Sequence, residues 1–316
     1  MLKKISLLVC TNRPNQPFAR IWKSIIDNSH LQKVILATQG SAINYVNKEQ
    51  QVIHLPLKNK GRSRAVNCGL QEISSFAIGL TDDDCVIQKN WLNEAIKILK
   101  NPEIDLVYGQ TKPYKPQLNK NKFCPSTFSK KPNNFSVTSR LGKHWLEVGF
   151  DNNVVIKTKV LQNIGGYKWW IGPGCLIPAA EDAEYTLRAL LAGYKIAYNP
   201  KMIVYHDRFL NKKDFQKQSE IYAFGGLVVY GFYAFQGVCE CKTIFNEYLF
   251  YFFYGAKKDL KMFLQESHSF KNLRNFFHKI HLLLKGIFYA FLFAKIIPIP
   301  VKENVVKRFY KRKNLS

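Results

Sequence analysis

Three consecutive aspartates, Asp82 to Asp84, directly follow an apolar run of residues. Because the apolar residues are continuous rather than alternating, Phe76–Thr81 is predicted to form a buried parallel strand. Ligands of open α/β sheets bind beyond the carboxyl ends of such strands. Adjacent carboxylates repel one another unless a cation lies among them, and oxygen-rich sites suit Mg²⁺ or Mn²⁺. The triplet therefore predicts a divalent-metal site, with a solvated turn capping the helix Trp91–Lys100 as the alternative.

A second acidic pair, Glu181-Asp182, begins a predicted helix that ends at Gly193, a natural C-cap. Carboxylates at a helix N-terminus are favoured by the helix dipole whatever their function, so the pair alone indicates little. Its setting is more informative, because a Gly165-Gly166-Tyr167 turn and a loop over residues 171–174 precede it. This setting predicts that the pair faces an open cleft.

A glycine, Gly61, opens a third segment of interest, in which Arg62, Arg64 and Asn67 follow at the start of a predicted helix. A glycine-opened helix N-terminus can hold phosphate oxygens, and arginine adds a charged fork for a diphosphate. A solvated face is an equally good interpretation of the two arginines, since basic residues are mostly exposed. The glycine-lysine signature of P-loop enzymes is missing from the sequence, which excludes that chemistry.

One histidine, His206, stands at the end of the strand-like segment Met202–Tyr205. A lone histidine is more often structural than a metal ligand. Here a neutral imidazole could join aspartate oxygens on a divalent ion. His206 is therefore a candidate metal ligand beside Asp84 and Asp82.

The elements that must position these residues alternate between strand-like and helix-like segments over about the first two hundred residues. This rhythm predicts an α/β fold with a doubly wound, mainly parallel sheet. The predicted strands are Ile5–Cys10, Lys33–Ala37, Phe76–Thr81 and Asp105–Gly109, and the predicted helices are Phe18–Ser29, Gly61–Glu72, Trp91–Lys100 and Ala183–Ala192.

Composition limits the class of protein further. The chain has 316 residues, of which 47% are hydrophobic, and a formal net charge of +25. That charge implies an anionic partner such as a membrane surface, nucleic acid or a phosphorylated substrate. The seven cysteines are scattered, which argues against a disulfide framework or a zinc site and fits a reducing compartment. Residues 111–143 carry eight basic residues and no acidic one, and are predicted to form an irregular loop.

Taken in order, the motifs resemble glycosyltransferase family 2, the inverting nucleotide-sugar enzymes of the GT-A fold. The resemblance covers about residues 3 to 208 and rests on several motifs in the right order. These are Thr11-Asn12-Arg13, Gly61 to Gly69, Asp82 to Asp84, Gly165-Gly166-Tyr167, Glu181-Asp182 with Leu187-Arg188, and Tyr205-His206.

The resemblance implies a role for each matching residue. Asp84 would hold the metal, Asp82 would contact the metal or the nucleotide ribose, and Asp182 beside Glu181 would be the catalytic base. The nucleotide-sugar-binding residues implied in this way are Thr11, Asn12, Arg13, Arg64, Asn67, Asp82 and Asp83. Two departures leave the nucleotide unassigned: Ala37-Thr38-Gln39-Gly40 stands where many members have Asp-Asp-Gly-Ser, and Ala65-Val66-Asn67 where many have Ala-Arg-Asn.

Two alternatives to a metal-dependent glycosyltransferase stay open at this point. A non-enzymatic basic module that binds membranes or nucleic acid would explain the charge, but it leaves the acids that follow the strands unexplained. A nucleotidyltransferase could use the same aspartates for a triphosphate, but it would need a clearer phosphate-gripping loop. We therefore expect a nucleotide-diphosphate sugar donor, a divalent cation, and a glycan or lipid-linked acceptor, with no nucleic acid.

The composition shifts again after residue 208. We predict a glycosyltransferase domain over 1–208 and a helical, basic, aromatic-rich region over 209–316 that associates with a membrane. The uncharged segment Ile221–Val238 is nearest to the ~20 apolar residues that a span needs, yet helices lying in the interface fit better. Core helices are the alternative. The expected location is cytoplasmic, peripheral or monotopic on the inner face of the cell membrane, with an anionic leaflet as partner.

Overall fold

The computed structural model describes residues 4–11, 18–26, 28, 31–39, 51–58, 60–139, 148–267 and 269–298. By its internal contacts the chain divides into two compact units. The first holds the described residues up to Gln216 except Leu176–Ala180, and the second holds Leu176–Ala180 and the described residues from Lys217 onward. The functional boundary at residue 208 stays a prediction.

Within the described residues, nine strands of the first unit form one sheet. The strands are β1 Ile5–Thr11, β2 Leu31–Gln39, β3 Gln51–Leu57, β4 Ala77–Asp82, β5 Cys85–Ile87, β6 Leu106–Pro113, β7 Ser136–Thr138, β8 Val154–Lys157 and β9 Ile196–His206. Their order in the sheet is β3-β2-β1-β4-β8-β6-β9-β5, with β7 paired to β9. The longest ladders are parallel, joining β1 to β2, β2 to β3, β1 to β4 and β6 to β9. The predicted α/β class with a mainly parallel sheet is therefore confirmed.

Five helices of the first unit lie within the described residues. They are α1 Phe18–Ile26, α2 Arg62–Leu70, α3 Trp91–Leu99, α4 Thr158–Ile164 and α5 Glu181–Leu191. All but α4 correspond to predicted helices. Four strands, β3, β5, β7 and β8, were not predicted. Three of these have only three or four residues, and β3 contains Pro56, which is tolerated because β3 is an edge strand.

The core of the first unit fixes the sheet edge at which β4 ends. Trp91 on α3 is fully buried, and its ring lies so close to Gly79 of β4 that an added Cβ would come within 2.5 Å of it. The indole Nε1 of Trp91 donates to Asn153 Oδ1 at 2.7 Å. Glycine at position 79 is thus required by packing, and the contact holds the strand that carries the aspartates.

The second unit contains three long helices, of which α6 begins in the first unit: α6 Lys212–Phe235, α7 Cys239–Met262 and α8 Phe270–Ile296. Glycines let them approach closely. A Cβ at Gly226 would meet Tyr248 of α7, one at Gly231 would meet Phe245 of α7 and Ala290 of α8, and one at Gly286 would meet Leu227 of α6. Residues 224–234 are buried, so this part of the predicted interfacial segment Ile221–Val238 is a core helix.

A different helix is the span candidate in the described residues. By length and composition α8 could cross a membrane, and only 17% of its apolar window is buried, whereas a core helix is mostly buried. One such helix is weak evidence for a span. Both α7 and α8 expose large aromatic side chains, as predicted from composition. They are Phe250, Tyr251, Phe253, Tyr254, Phe270, Phe277, Phe288 and Phe291.

Candidate functional site

Each of the three adjacent aspartates contacts a side chain from a different element of the first unit. Asp82, at the end of β4, accepts hydrogen bonds from the guanidinium of Arg62 at 3.0 and 3.2 Å. Asp83 Oδ2 accepts from Thr11 Oγ1 at 2.5 Å, and Asp84 Oδ1 lies 3.1 Å from His206 Nε2. Asp82 and Asp83 thus contact protein partners on α2 and β1, and their predicted roles in binding the metal or the nucleotide sugar stay predictions.

Asp84 and His206 form the metal-binding candidate. Strands β5 and β9 are antiparallel and place Cys85 opposite His206, which brings Asp84 beside the imidazole. Burial disfavours the imidazolium, but the hydrogen bond and charge of Asp84 outweigh it and raise the pKa of His206 to about 10. The other ring nitrogen, Nδ1, lies 2.7 Å from the carbonyl oxygen of Pro125. A residue of the predicted basic loop therefore orients the ring, as second-sphere groups do for metal-bound histidines.

These residues fit a divalent cation. Among the described residues, one group of potential ligand atoms lies within 4.8 Å of one another, from Asp84, Cys85 and His206. The Cys85 thiol is buried, which raises its pKa well above the ordinary value, so the thiolate form that binds metals is disfavoured. A carboxylate oxygen and an imidazole nitrogen remain, a donor pair that suits Mn²⁺ or Mg²⁺. A bound cation would displace the proton that His206 Nε2 shares with Asp84. Asp82, predicted as a further ligand, is not in this group and pairs with Arg62 instead.

Arg62 joins the two acidic motifs. Its guanidinium lies 3.3 Å from Glu181 Oε1 and 3.9 Å from Asp151 Oδ2, besides its bonds to Asp82. Burial disfavours the charged guanidinium, but the three carboxylates together raise its pKa well above the ordinary value. Arg62 lies one helical turn before Val66 and on the same face of α2. Position 66 is the one at which many members of the resembled family have arginine. The alternative interpretation of Arg62 as a solvent-exposed basic residue is wrong, because its side chain is only 13% exposed.

The predicted phosphate site at the start of α2 is covered by protein. The backbone N–H of Arg62 donates to the carbonyl of Pro173 at 2.9 Å, and Ser63 Oγ donates to the carbonyl of Ile171 at 2.5 Å. A Cβ at Gly61 would come within 2.8 Å of the Cys175 sulfur. The loop before the acidic pair thus packs on the helix N-terminus and satisfies donors that a phosphate would need.

Asp151 was not predicted, although it is buried at the centre of the site. Its Oδ1 accepts from the Tyr108 hydroxyl at 3.2 Å, and its Oδ2 has no hydrogen-bond partner among the described residues. Burial and the nearby Asp182 raise the pKa of Asp151 to about 7, against the opposing effect of Arg62.

The two residues after Asp151 bind four surrounding segments. Asn152 contacts Thr111 and Ser126, and Asn153 contacts Trp91 and the backbone of Met202. The signal available in the sequence was three consecutive short polar residues before an apolar strand.

Glu181 and Asp182 begin α5, as predicted. Burial raises the pKa of Glu181 to about 8, although Arg62 opposes the shift, and burial also raises the pKa of Asp182. The backbone N–H of Ala183 donates to Asp182 Oδ1 at 2.7 Å and fixes the carboxylate, which stays partly exposed. A fixed, accessible carboxylate with a raised pKa can accept a proton at neutral pH.

The glycine turn before the pair is held from two sides. The Asn67 amide donates to the carbonyl of Tyr167 and accepts from its N–H, both at 2.7 Å. On the other side Arg188, paired with Glu184 at 2.8 Å, donates to the carbonyl of Gly166 at 2.8 Å. Asn67 therefore positions the turn, and its predicted contact with the nucleotide stays a prediction.

Other predicted nucleotide contacts are placed less centrally. Arg64 is exposed, and its guanidinium carbon lies 5.5 Å from the ring centre of Trp169. Thr11 meets the site through Asp83. Asn12 and Arg13 lie outside the described residues. The site as a whole brings together the ends of β1, β4 and β9, the first turns of α2 and α5, and the turn containing Asp151.

Comparisons with known proteins concern the family and the fold of the chain. The sequence profile of glycosyl transferase family 2 matches residues 7–165. No curated protein sequence matches the chain. S. aureus TarS 1-349 in complex with UDP-GlcNAc aligns with a TM-score of 0.59 at 13% identity, over 98% of this chain and 92% of that one. The mannosyltransferase PcManGT from Pyrobaculum calidifontis, in complex with GDP-Man and Mn²⁺, aligns with a TM-score of 0.56 at 13% identity, over 96% and 82%. Likenesses at this identity concern the fold.

Proposed function

The chain belongs to glycosyl transferase family 2 and has the predicted GT-A type of fold, and we propose that it is an inverting, metal-dependent enzyme that transfers a sugar to a glycan or lipid-linked glycan. The donor is a nucleotide-diphosphate sugar. The observation that supports this most is the link through Arg62, whose guanidinium contacts both Asp82 at the end of β4 and Glu181 at the start of α5. The contacts of Arg62 with Asp82 and Glu181 support a site in which the proposed donor-binding and catalytic residues act together.

Asp182 acts as the catalytic base in this proposal. Its carboxylate is held by the Ala183 N–H and stays partly exposed, so an acceptor hydroxyl can reach it. Asp182 takes the hydroxyl proton as the oxygen attacks the anomeric carbon, and the bond to the nucleotide diphosphate breaks in the same displacement. One displacement inverts the configuration. Glu181 stays paired with Arg62 and holds the start of α5.

Asp84 and His206 would hold the divalent cation. When bound, Mn²⁺ or Mg²⁺ would neutralise the negative charge that develops on the departing diphosphate. Asp84 is buried and His206 is oriented by Pro125, so both ligands are preorganised. PcManGT was solved with Mn²⁺, which makes Mn²⁺ the first ion to test here.

Asp84→Asn should abolish the Mn²⁺-dependent part of nucleotide-sugar binding, because it removes the anionic ligand from the candidate metal site. Titration calorimetry with and without Mn²⁺ measures this part directly. Cys85→Ala is the matched control, since it alters the neighbouring buried residue and should retain the Mn²⁺ effect. An equal Mn²⁺ effect in Asp84→Asn and wild type would remove the metal from this pair.

The nucleotide is the first unknown to resolve. TarS was solved with UDP-GlcNAc and PcManGT with GDP-Man, so uridine and guanosine diphosphate sugars are the donors to test. A thermal-shift screen with Mn²⁺ identifies the donor, because a specific ligand at a hundred times its Kd stabilises the fold by ~2.7 kcal/mol. Hydrolysis of the stabilising donor then tests the reaction. The absence of any stabilising or hydrolysed donor would contradict the proposal.

The second unit supports attachment to an anionic membrane. Its exposed aromatic side chains on α7 and α8 occur beside exposed basic residues, the combination expected of helices that lie in a membrane interface. The basic residues exposed on these helices are Lys242, Lys257, Lys258, Lys261, Lys271, Arg274, Lys285 and Lys295. Such placement suits a lipid-linked acceptor.

The full chain should co-sediment with anionic vesicles at low salt and be partly released at high salt, since salt screens the basic residues but leaves apolar contacts. Replacing Phe250, Phe253 and Tyr254 by serine should weaken the salt-resistant fraction. Leu118→Ser is the control, because Leu118 is an apolar residue of the first unit that is even more exposed than these three. Full recovery in the supernatant at low salt would reject attachment. Release by detergent alone, with protease protection of α8, would make α8 a span.

A further inference from the structure

Two adjacent tryptophans differ sharply in environment. Trp170 is 1% exposed, whereas Trp169 is 56% exposed. The guanidinium of Arg64 lies over the Trp169 ring at 5.5 Å, a cation–π geometry. Tryptophan and arginine are both enriched at binding interfaces, and here an exposed indole face lies beside a cation.

This exposed pair lies at the rim of the catalytic site. Three residues beyond Trp169, Gly172 lies against Glu181, so that a Cβ there would come within 3.2 Å of the Glu181 carboxyl carbon. Between them, the Ile171 carbonyl is bonded to Ser63, the residue before Arg64. Three residues of chain span at most ~11 Å. Trp169 is therefore close enough to the acidic pair for one glycan chain to contact both.

The surface is also rigid. The Ile171 N–H donates to the Lys168 carbonyl at 3.1 Å, which closes a turn around Trp169. Buried Trp170 anchors the turn from below, and Gly172 has a φ of +112°, a conformation that glycine adopts without strain. A preorganised aromatic face loses little entropy when a ligand binds.

We propose that Trp169 and Arg64 form a subsite for an anionic acceptor glycan, in which a sugar ring stacks on the indole and Arg64 binds a phosphate or carboxylate on that glycan. This inference rests on the proposed function. The acceptor hydroxyl must lie beside the base that removes its proton. The loop that carries Trp169 contacts Glu181, next to that base, so the subsite is assigned to the acceptor rather than to the donor. Arginine pairs with planar oxyanions through two parallel hydrogen bonds. The net charge of +25 favours an anionic substrate over a neutral one.

Calorimetry with three probes tests the subsite: maltotriose, trigalacturonic acid and a phosphorylated maltotriose. Wild type should bind both anionic probes more tightly than maltotriose. Arg64→Gln should weaken the anionic probes roughly tenfold or more and leave maltotriose unchanged, because a charge-assisted hydrogen bond is lost. Trp169→Ala should weaken all three probes, and Trp169→Phe should restore most of the binding. Preference for one anionic probe identifies the phosphate or the carboxylate as the natural group.

The matched control is Lys115→Gln, since Lys115 also lies over an aromatic ring, that of Tyr114 at 5.3 Å. It should leave all probes unchanged. Equal probe binding in wild type and Trp169→Ala, or no binding of either anionic probe by wild type, would overturn the subsite. A loss of donor binding in Arg64→Gln with unchanged probe binding would assign Arg64 to the nucleotide and overturn it too. Donor hydrolysis by wild type without acceptor tests the proposed function separately.

Discussion

Asp182→Asn should lower the rate of sugar transfer by ~10²–10⁴ while leaving donor binding unchanged, because the proton of the acceptor hydroxyl loses its acceptor. The amide has nearly the shape of the carboxylate, and its oxygen can still accept the Ala183 N–H that fixes it now. The substitution also removes one negative charge near Asp151 and Arg62, so the fold should not be weakened. Transfer rates and donor affinity, measured on the same preparation, separate chemistry from binding.

Two comparison variants sharpen this prediction. Glu181→Gln removes the neighbouring carboxylate, which is paired with Arg62, and should reduce transfer less than Asp182→Asn. Asp214→Asn alters an exposed acid at the start of α6 and should have no effect on transfer. Near wild-type transfer by Asp182→Asn together with a large loss in Glu181→Gln would move the base to Glu181.

Arg62→Met should destabilise the protein by about 3–5 kcal/mol at alkaline pH, where Glu181 and Asp151 are ionised, because removing one partner of a buried ionic cluster leaves the others uncompensated. Arg62 is largely buried, and its guanidinium faces Asp82, Glu181 and Asp151. Arg64→Met is the matched control two residues away on the exposed side of α2. It should change the free energy of unfolding by no more than ~0.5 kcal/mol, as surface substitutions usually do.

The deficit of Arg62→Met should grow with pH. The pKa values of Glu181 and Asp151, about 8 and about 7, lie above their ordinary values of 4.5 and 3.8. The folded protein therefore keeps protons that the unfolded chain releases, and stability from these groups falls as pH rises through that window. Without Arg62 the two pKa values rise further, so the fall steepens. Thermal unfolding at mildly acidic, neutral and alkaline pH measures the trend, and a deficit that shrinks as pH rises would contradict it.

The sequence was sufficient to predict that several acidic side chains and His206 lie at one end of the sheet, but not that Arg62 and Asp151 lie among them. Asp82, Asp84, Asp182 and His206 each follow a strand or begin a helix, and parallel strands bring their carboxyl ends to one edge. Periodicity and continuous apolar runs located these elements to within a few residues. Such local patterns survive folding because they reflect the burial that the sheet imposes.

The sequence was not sufficient to predict how the charges pair. The partners of the triplet lie on β1, α2 and β9, and only the sheet order decides which of them each carboxylate meets. The role of Arg62 depends on a contact with Glu181 across 119 positions of sequence. Asp151 does not belong to a recognisable sequence motif. Its neighbours Asn152 and Asn153 bind segments that are distant in sequence, so their role is visible only in the fold. Buried polar residues of this kind are recognised only once their partners are known.

The C-terminal helices show a similar division. Composition predicted aromatic and basic helices, but the burial of residues 224–234 depends on glycines that face neighbouring helices. The uncharged character of Ile221–Val238, which suggested the nearest approach to a span, reflects this packing. The exposed apolar surface lies instead on α7 and α8, where lysines interrupt the apolar run and weaken the signal in the sequence.

The measurement that tests the central claim most directly is the configuration of the sugar first released from the donor that the screen identifies. Proton NMR during hydrolysis distinguishes the two anomers before they equilibrate in solution. A single displacement assisted by Asp182 predicts that the first-formed anomer is inverted relative to the donor, and that Asp182→Asn forms it more slowly. Retention of configuration, or no turnover of any uridine or guanosine diphosphate sugar, would contradict the account.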